Sequence, residues 1–213
     1  MQVTKKIPAK RWRYYEELMR FFDIAFVIVA LLVSWPLLLI VALMIKMENI
    51  KAPVLFRQRR VGKDGATFYI YKFRSMHTNA ENLLAKLQAS NEMDGQMFKM
   101  KRDPRITKIG MFIRKFSIDE LPQFYNVLKG EMSMIGPRPA LISEYENYST
   151  LAKRRVSVKP GCTGLWQVSG RNKLTFDEMI RLDLHYIENQ SLVLNIKILF
   201  RTIKEFTHLG SGY

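Results

Sequence analysis

The sequence contains a single cysteine, Cys162, among its 213 residues. One cysteine excludes an intrachain disulfide framework and any metal site built from clustered cysteines. The chain also lacks the phosphate-binding pattern G-x-x-x-x-G-K, the dinucleotide pattern G-x-G-x-x-G and the zinc pattern H-E-x-x-H. Its three histidines lie in unrelated segments, which favours structural or solvated roles over catalysis: His77, His185 and His208.

Acidic residues are scarce relative to basic ones. The chain has 19 Asp and Glu against 34 Lys and Arg, which gives a net charge of +15. Such a charge predicts an anionic partner, whether nucleic acid, lipid headgroups or a phosphorylated substrate. The length suits one domain with an appendage, and 48% apolar with 25% charged residues argues against disorder and against a protein of many membrane spans.

One segment, residues 24–45, carries no charge at all. A straight helix over this run would be about 33 Å long at about 1.5 Å per residue. That length is enough to cross a bilayer core of about 30 Å. The run is too long for a signal peptide, and no A-x-A-like cleavage site follows it.

Two features of this run favour a re-entrant hairpin, in which helix, break and helix dip into one leaflet. Pro36 lacks an N–H and clashes with the preceding turn, so it should kink or break the helix, while Ser34 could bond back to the carbonyl of Ala30 or Leu31. Residues 1–20 and 46–65 carry six basic residues each, which gives no orientation under the positive-inside rule. A single kinked span stays open as the alternative.

The rest of the chain reads as α/β, mostly helical with a small β-hairpin. The hairpin is predicted from β-rich residues 54–61 and 66–74 around a turn at 62–65. Apolar spacing predicts helices near 78–89, 106–116, 120–128, 141–152, 176–187 and 192–207. The last of these is basic and amphipathic, so it either lies on a lipid surface or packs on the core.

Asp119 and Glu120 form an adjacent acidic pair at the predicted start of a helix. There both carboxylates can face one ion or phosphate, and the helix dipole would keep them ionised. A structural alternative is a capping box from Ser117 to Glu120. Pro122 weakens that alternative, because it would be the fifth residue of a helix capped by Ser117 and fits better if the helix starts at Asp119 or Glu120.

Two loops present arginines in restricted settings. Prolines on both sides hold the backbone at Arg138, so its guanidinium is positioned for bidentate phosphate binding. The glycine-rich stretch 159–172 ends in Arg171, and its glycines let backbone N–H groups approach an anion. For either loop alone, a plain turn with a solvated arginine is the commoner outcome. Their occurrence together with the acidic pair favours a phosphate site.

Three blocks carry a family resemblance: YKFRSM at 71–76, the acidic pair continuing into NVLKGEMSMIGPRP at 126–139, and GLWQVSGRN at 164–172. In this order they resemble the bacterial sugar transferase family, the monotopic polyprenyl-phosphate phosphoglycosyl transferases, from Arg20 to about Phe200. The chain departs from the family at the membrane break, where it reads Ser34-Trp35-Pro36 instead of Ser directly before Pro.

The resemblance implies transfer of a sugar-1-phosphate from a UDP-sugar to polyprenyl phosphate, typically undecaprenyl phosphate, with release of UMP. It implies a monotopic enzyme on the cytoplasmic face of the inner membrane: residues 1–52 form a basic segment and re-entrant membrane helix, and residues 53–213 a cytoplasmic catalytic domain with surface amphipathic helices. This reaction is the first membrane step of a polysaccharide or glycoconjugate pathway, such as exopolysaccharide synthesis. Membrane lipids and downstream glycosyltransferases are expected partners, and nucleic acid is not.

The resemblance also implies roles for individual residues. The position of Asp119 is that of a nucleophile which forms a covalent phosphosugar intermediate and contacts Mg²⁺, and Glu120 assists it. The remaining matched positions belong to a basic substrate pocket: Lys72, Arg114, Arg138 and Arg171. Residues 77–107 resemble members that use plain hexoses such as glucose or galactose, although the sequence does not specify the sugar.

Two rival functions are consistent with part of the pattern. A membrane-tethered basic domain that binds nucleic acid or anionic lipid explains the charge and the apolar run, but it gives no reason for the acidic pair beside the arginine loops. A glycosyltransferase that moves sugar without phosphate would release UDP in place of UMP, so the leaving nucleotide separates it from the main prediction.

Overall fold

The computed structural model describes residues 9–87, 100 and 103–207. Its regular elements within these ranges are eight α-helices and five strands, besides short 3₁₀ turns. The helices are α1 (Ala9–Glu48), α2 (Ala80–Leu87), α3 (Lys108–Lys115), α4 (Gln123–Lys129), α5 (Ile142–Glu146), α6 (Thr150–Lys153), α7 (Phe176–Glu188) and α8 (Leu192–Thr207). The strands are β1 (Leu55–Val61), β2 (Thr67–Phe73), β3 (Ser133–Ile135), β4 (Ala140–Leu141) and β5 (Gly161–Thr163).

The predicted β-hairpin is confirmed. Strands β1 and β2 pair antiparallel from Leu55 opposite Phe73 to Val61 opposite Thr67. The structure adds β4 on the other side of β1, and a separate parallel pair of β3 with β5. These extra strands are two or three residues long, which is too short to show an alternating apolar pattern in the sequence. A mostly helical fold with small sheets is therefore confirmed, with more sheet than the sequence indicated.

Helix α1 runs for 40 residues and continues through Pro36. No interruption divides it into two helices, so the predicted helix–break–helix hairpin is not confirmed. A proline removes one backbone hydrogen bond, and the turns on either side still hold the helix, commonly with a bend. The expected back-bond of Ser34 is wrong, since its buried hydroxyl oxygen has no hydrogen-bond partner among the described residues.

One face of α1 packs against the rest of the protein. Val27 is fully buried in a cluster with Ile70, Val127 and Met132. Further along the helix, apolar side chains join a second cluster that contains Phe73 and Ile113: Leu38, Val41, Ala42 and Ile45. The opposite face is exposed and apolar: Phe22, Phe26, Val29, Leu32, Val33, Leu39, Ile40 and Leu43. Among the described residues, Tyr14–Glu48 is the one helical stretch long and apolar enough to cross a membrane.

Polar contacts attach α1 to the same globular part on both sides of its uncharged run. Near its start, the guanidinium of Arg20 donates to the carbonyls of Val127 and Leu128, the latter at 2.6 Å. At its end, Glu48 Oε1 accepts the backbone N–H of Lys108 at 2.9 Å, at the beginning of α3. The two ends of the apolar helix are therefore both fixed to one folded body.

Helix α8 has the bounds that its periodicity predicts, but its apolar stripe faces outward. Ile198 is buried in the core, together with the side chain of Asn195. Leu194 packs beside this core and Leu199 is partly buried. Five further apolar side chains are exposed: Leu192, Val193, Ile196, Phe200 and Ile203. Helix α8 therefore packs on the core along one side and exposes an apolar stripe on the other, and the lipid-surface alternative for that stripe stays a prediction.

The remaining predicted helices agree with the structure to different degrees. Helix α7 covers the range predicted near 176–187, and Thr175 and Glu178 form a capping box at its start. The helix predicted over 141–152 is instead two short helices, α5 and α6, because the chain leaves the helical conformation at Asn147. The helix near 78–89 is present as α2 as far as Leu87, and its remaining two residues lie outside the described part.

A buried ion pair holds α7 to the turn after α6. Arg155 Nη2 lies 2.5 Å from Asp183 Oδ2, and Arg155 Nη1 donates to the Tyr148 hydroxyl at 2.8 Å. Burial raises the pKa of Asp183 to about 6 even though the Arg155 charge acts to lower it. The effect of desolvation on the pKa of Asp183 is thus larger than the opposing effect of the Arg155 charge.

Asp183→Ala is expected to lower the free energy of unfolding by about 3–5 kcal/mol, because the Arg155 charge is left buried without its partner. Denaturation followed by circular dichroism in detergent measures this change. The double variant Arg155→Met, Asp183→Leu removes both charges and should recover most of the loss. A single variant as stable as the wild type would contradict the assignment.

Candidate functional site

The acidic pair lies in a 3₁₀ turn, Ile118–Glu120, between α3 and α4. It does not open α4, which begins only at Gln123 with Pro122 before it. Pro122 is consistent with this boundary, since proline has no N–H to donate within a helix and is favoured at a helix start. The capping-box alternative is wrong, because Ser117 adopts the left-handed conformation (φ 51°) and its side chain makes no cap.

Burial and a neighbouring charge dominate the electrostatics of Asp119. The residue is 8% exposed. Burial, and next the charge of Glu120, raise the pKa of Asp119 to about 6, while Lys72 and Arg114 act to lower it. Because α4 begins only at Gln123, the expectation that Asp119 lies at the N-terminus of this helix is wrong; Lys72, Arg114 and a backbone hydrogen bond are what lower its pKa.

Glu120 makes the closest ion pair of the site. Lys72 Nζ lies 2.5 Å from its Oε1. Burial acts to raise the pKa of Glu120, but the charge and hydrogen bond of Lys72, with further help from Arg138 and Arg114, hold the pKa below its ordinary value. The two carboxylates thus differ: Glu120 is a fixed, ionised partner of Lys72, and Asp119 is the more basic and more buried of the pair.

Asn126 joins the acidic turn to the sheet, a role that sequence reasoning missed. Its side chain is fully buried and pairs with the free edge of β2. Oδ1 accepts the N–H of Tyr71 at 3.1 Å, and Nδ2 donates to the carbonyl of Tyr69 at 2.6 Å. Because Lys72 is the next residue of β2, this clamp sets the distance between Lys72 and the turn that carries Glu120. Asn126 is a polar residue among the apolar residues of α4, and this is the sequence feature that could have indicated its role.

The two loops singled out in the sequence meet in the fold. The parallel pair β3–β5 brings them together, and Gly136 donates its N–H to the carbonyl of Thr163 while Gly161 donates to that of Pro137, both at 2.9 Å. A Cβ on Gly161 would lie 2.0 Å from the Gly136 nitrogen, so only glycine fits there. For Gly161, the interpretation that the glycines of the stretch 159–172 let N–H groups approach an anion is wrong, because the carbonyl of Pro137 already accepts its hydrogen.

The predicted basic residues do not all converge. Lys72, Arg114 and Arg138 all act electrostatically on Glu120. Arg171 adopts the left-handed conformation (φ 48°), donates from Nε to the carbonyl of Gln167 at 2.9 Å, and lies 3.7 Å from Glu205 of α8. The contacts that the structure describes for Arg171 are thus with its own loop and with α8, not with the acidic pair.

An apolar cavity of about 540 Å³ lies beside the acidic turn. One wall comes from α1, and the others from the sheet and from the chain that follows Glu120. Its lining is almost entirely hydrocarbon: Leu31, Leu38, Leu55, Tyr71, Phe73, Leu121, Pro122, Tyr125 and Leu128. This volume is in the range of ligand-binding cavities, about 300–1,000 Å³.

The acidic pair suits Mg²⁺ bound together with a substrate, but not a metal enclosed by protein. Among the described residues, no group of three or more His, Cys, Asp or Glu side chains could hold a metal ion. Mg²⁺ commonly uses one or two carboxylates and completes its shell with water and substrate phosphates. The Asp119 carboxylate, whose ionised form is disfavoured by burial and by Glu120, is one that a cation would stabilise.

Comparison with known proteins identifies the class. A family model described as bacterial sugar transferase matches residues 14–208. The galactosyl transferase CpsE of Streptococcus agalactiae is 51% identical over 194 residues. The undecaprenyl-phosphate galactose phosphotransferase of Salmonella typhimurium is 44% identical over 200 residues, and the exopolysaccharide production protein ExoY of Sinorhizobium fredii is 39% identical over 188. The chain belongs to the bacterial sugar transferase family, and the predicted resemblance is confirmed.

The matches differ in how much of each relative they cover. They include 91% of this chain with CpsE and 92% with the Salmonella protein, but only 42% of either relative. For ExoY the shares are 86% of this chain and 83% of the relative. The chain thus spans less than half the length of the first two relatives and most of the length of ExoY.

Proposed function

We propose that the protein transfers a sugar-1-phosphate from a UDP-sugar to polyprenyl phosphate and releases UMP. The observation that carries this proposal is the buried Asp119 beside an ionised Glu120, with Lys72, Arg114 and Arg138 acting on the pair. Family membership, and the name of the Salmonella relative as an undecaprenyl-phosphate galactose phosphotransferase, support transfer of a sugar phosphate to polyprenyl phosphate. A domain that only binds nucleic acid or anionic lipid gives no reason for this cluster.

In the first step, an oxygen of the Asp119 carboxylate attacks the phosphorus that carries the sugar. The bond from this phosphorus to the oxygen shared with the UMP phosphate breaks, and UMP leaves with that oxygen. The product is an acyl phosphate that joins Asp119 to the sugar-1-phosphate. Covalent capture of this kind splits one transfer into two steps, and a buried carboxylate that is costly to ionise is a stronger nucleophile than a solvated one.

In the second step, an ionised oxygen of the lipid phosphate attacks the same phosphorus. The bond to Asp119 breaks, the carboxylate is regenerated, and the product is a polyprenyl diphosphate sugar. No proton has to be removed from an already ionised phosphate. Glu120 accordingly needs no role as a base. Its ion pair with Lys72 keeps the positive charge of Lys72 close to the phosphate oxygens of the bound substrates.

The basic residues compensate the negative charge of two phosphorylated substrates. Phosphoryl transfer depends mainly on positioning and on charge neutralisation, which suits Lys72, Arg114 and Arg138 around the reacting phosphorus. Mg²⁺, held by Asp119 and the donor phosphates, would neutralise the charge on the departing UMP. Arg171 is proposed to reach the donor from the side of its loop.

The lipid acceptor accounts for the apolar features of the molecule. Its phosphate lies at the headgroup level, so the reacting groups have to be at a membrane surface. The exposed stripes of α1 and α8 suit burial in lipid, and basic residues of α8 suit anionic headgroups: Lys197, Arg201 and Lys204. The cavity beside Leu121 and Pro122 offers hydrocarbon surface next to the acidic pair.

We infer that α1 enters and leaves the membrane at one face, the cytoplasmic face of the inner membrane. A straight helix from Arg20 to Glu48 would be about 42 Å long at about 1.5 Å per residue, more than a bilayer core of about 30 Å. A span would put these residues on opposite sides, yet contacts fix both to one globular body. The bound ends therefore support a monotopic arrangement, with Pro36 as the natural site of a bend.

Single cysteines at Tyr14 and Lys51, introduced after Cys162→Ala, are expected to react with an impermeant thiol reagent from the same, cytoplasmic side. Inverted and right-side-out vesicles supply the two sides for this measurement. Reaction of the two positions from opposite sides would contradict the one-face arrangement and establish a span.

The proposed reaction is tested by the nucleotide it releases. Purified protein in detergent with Mg²⁺, undecaprenyl phosphate and a panel of UDP-sugars should release UMP with at least one sugar, in proportion to lipid-linked product. Release of UDP would instead establish a glycosyltransferase that moves sugar without phosphate. The same panel identifies the sugar, with UDP-galactose and UDP-glucose as the first to test.

A further inference from the structure

Glu144 is a buried carboxylate next to the arginine loop that neither the sequence analysis nor the proposed reaction uses. It lies in α5, six residues after Arg138, and is 2% exposed. Its Oε2 accepts the backbone N–H of Leu141 at 2.8 Å and lies 3.3 Å from Arg138 Nη1. One oxygen thus joins the start of a short helix to the guanidinium of the loop.

Capping of α5 does not by itself explain this residue. Glu178 performs the same task at the start of α7, where it accepts the N–H of Thr175, and its side chain is exposed. Glu144 is buried, and its Oε1 has no hydrogen-bond partner among the described residues. Burying a carboxylate with an unmet oxygen is costly, so a charge opposite Glu144 is the feature that its burial indicates.

Arg138 supplies that charge while keeping most of its donors. Within the described part of the chain its one hydrogen-bond partner is Glu144, so four of about five N–H groups on the guanidinium are left for other ligands. The side chain is 29% exposed. The loop backbone is held separately, because buried Arg60 donates to the carbonyl of Pro139 at 3.1 Å. Glu144 therefore fixes the direction of the guanidinium, and Arg60 the position of the loop.

We propose that Glu144 is a positioning residue: its buried carboxylate orients the Arg138 guanidinium toward the phosphates bound at Asp119 and Glu120. This inference rests on the proposed function, in which Arg138 is a phosphate ligand. Glu144 itself touches no substrate. A planar guanidinium binds phosphate with two parallel N–H groups only if its plane is aligned, and a carboxylate on one edge sets that plane.

A double-mutant cycle tests the proposal. Glu144→Gln keeps the shape and lets the amide oxygen accept the Leu141 N–H, but it removes the charge. We expect kcat/KM for the UDP-sugar to fall about ten- to a hundredfold, the range of a hydrogen bond between charged groups. In an Arg138→Ala background the same change should alter kcat/KM by less than about twofold, because Glu144 influences the substrate only by orienting Arg138. Glu178→Gln, the matched cap of α7, should leave kcat/KM unchanged.

A second readout keeps the cycle measurable if the Arg138→Ala variant turns over too slowly. The affinity for UDP with Mg²⁺, measured by calorimetry on the same four proteins, should show the same non-additivity. Equal losses from Glu144→Gln in both backgrounds would overturn the proposal, as would a variant that melts earlier but keeps kcat/KM per folded molecule. If wild type releases no UMP while UDP binding still shows the coupling, the proposed reaction fails and the positioning role stands.

Discussion

Asp119→Asn is expected to reduce UMP release by more than about a thousandfold, because an amide cannot form the covalent intermediate and residual turnover comes from binding and charge alone. The melting temperature should be unchanged or slightly higher. Burial already disfavours the ionised carboxylate, so a neutral side chain of the same shape costs nothing in folding. Turnover by initial-rate UMP release and melting in detergent are the two measurements.

Asp177→Asn is the matched control for this variant. Asp177 lies in the first turn of α7 and is exposed. Its replacement removes the same charge from the protein without touching the acidic pair, so activity should stay within about twofold of wild type. Substantial activity in Asp119→Asn would remove the covalent role and leave Asp119 as a metal ligand at most.

Arg138→Lys is expected to lose a large part of the activity although it keeps the positive charge. Lysine is a point charge and cannot donate two parallel N–H groups to a phosphate, so kcat/KM should fall about tenfold or more. Arg138→Ala should fall further, about a hundredfold or more, since it also removes the ion-pair partner of the buried Glu144.

Arg154→Ala provides the comparison for the arginine variants. Arg154 is half-exposed and pairs with Glu188 on the surface. Exposed pairs contribute at most about 1 kcal/mol, so this variant should retain both activity and fold. If Arg138→Ala kept near-normal kcat/KM and UDP affinity, the phosphate-binding role of this loop would be wrong.

The sequence predicted the elements with strong periodicity and missed those that depend on distant contacts. The β-hairpin and α8 follow from local apolar patterns, and both have nearly the expected bounds. Strands β3, β4 and β5 are two or three residues long and exist because backbone groups far apart in sequence meet. Local patterns carry no information on such pairing, so these strands could not be predicted.

The candidate site shows the same division. The acidic pair and Arg138 were predicted because their residue types and spacing are unusual. The electrostatic environment of the pair was not predicted correctly. A helix dipole was expected to act on Asp119, but Pro122 displaces α4, and burial sets the pKa of Asp119 instead. Glu144 was missed because only the fold brings its carboxylate to the arginine loop.

The covalent intermediate is the central claim, and intact-protein mass spectrometry tests it most directly. Wild type incubated with its UDP-sugar and Mg²⁺, without the lipid, should release up to one UMP per enzyme and gain the mass of one sugar phosphate, which fragmentation assigns to Asp119. Addition of undecaprenyl phosphate should remove the added mass and yield lipid-linked sugar. An unmodified protein that turns over only when donor and lipid are bound together would contradict the account and establish direct transfer between the substrates.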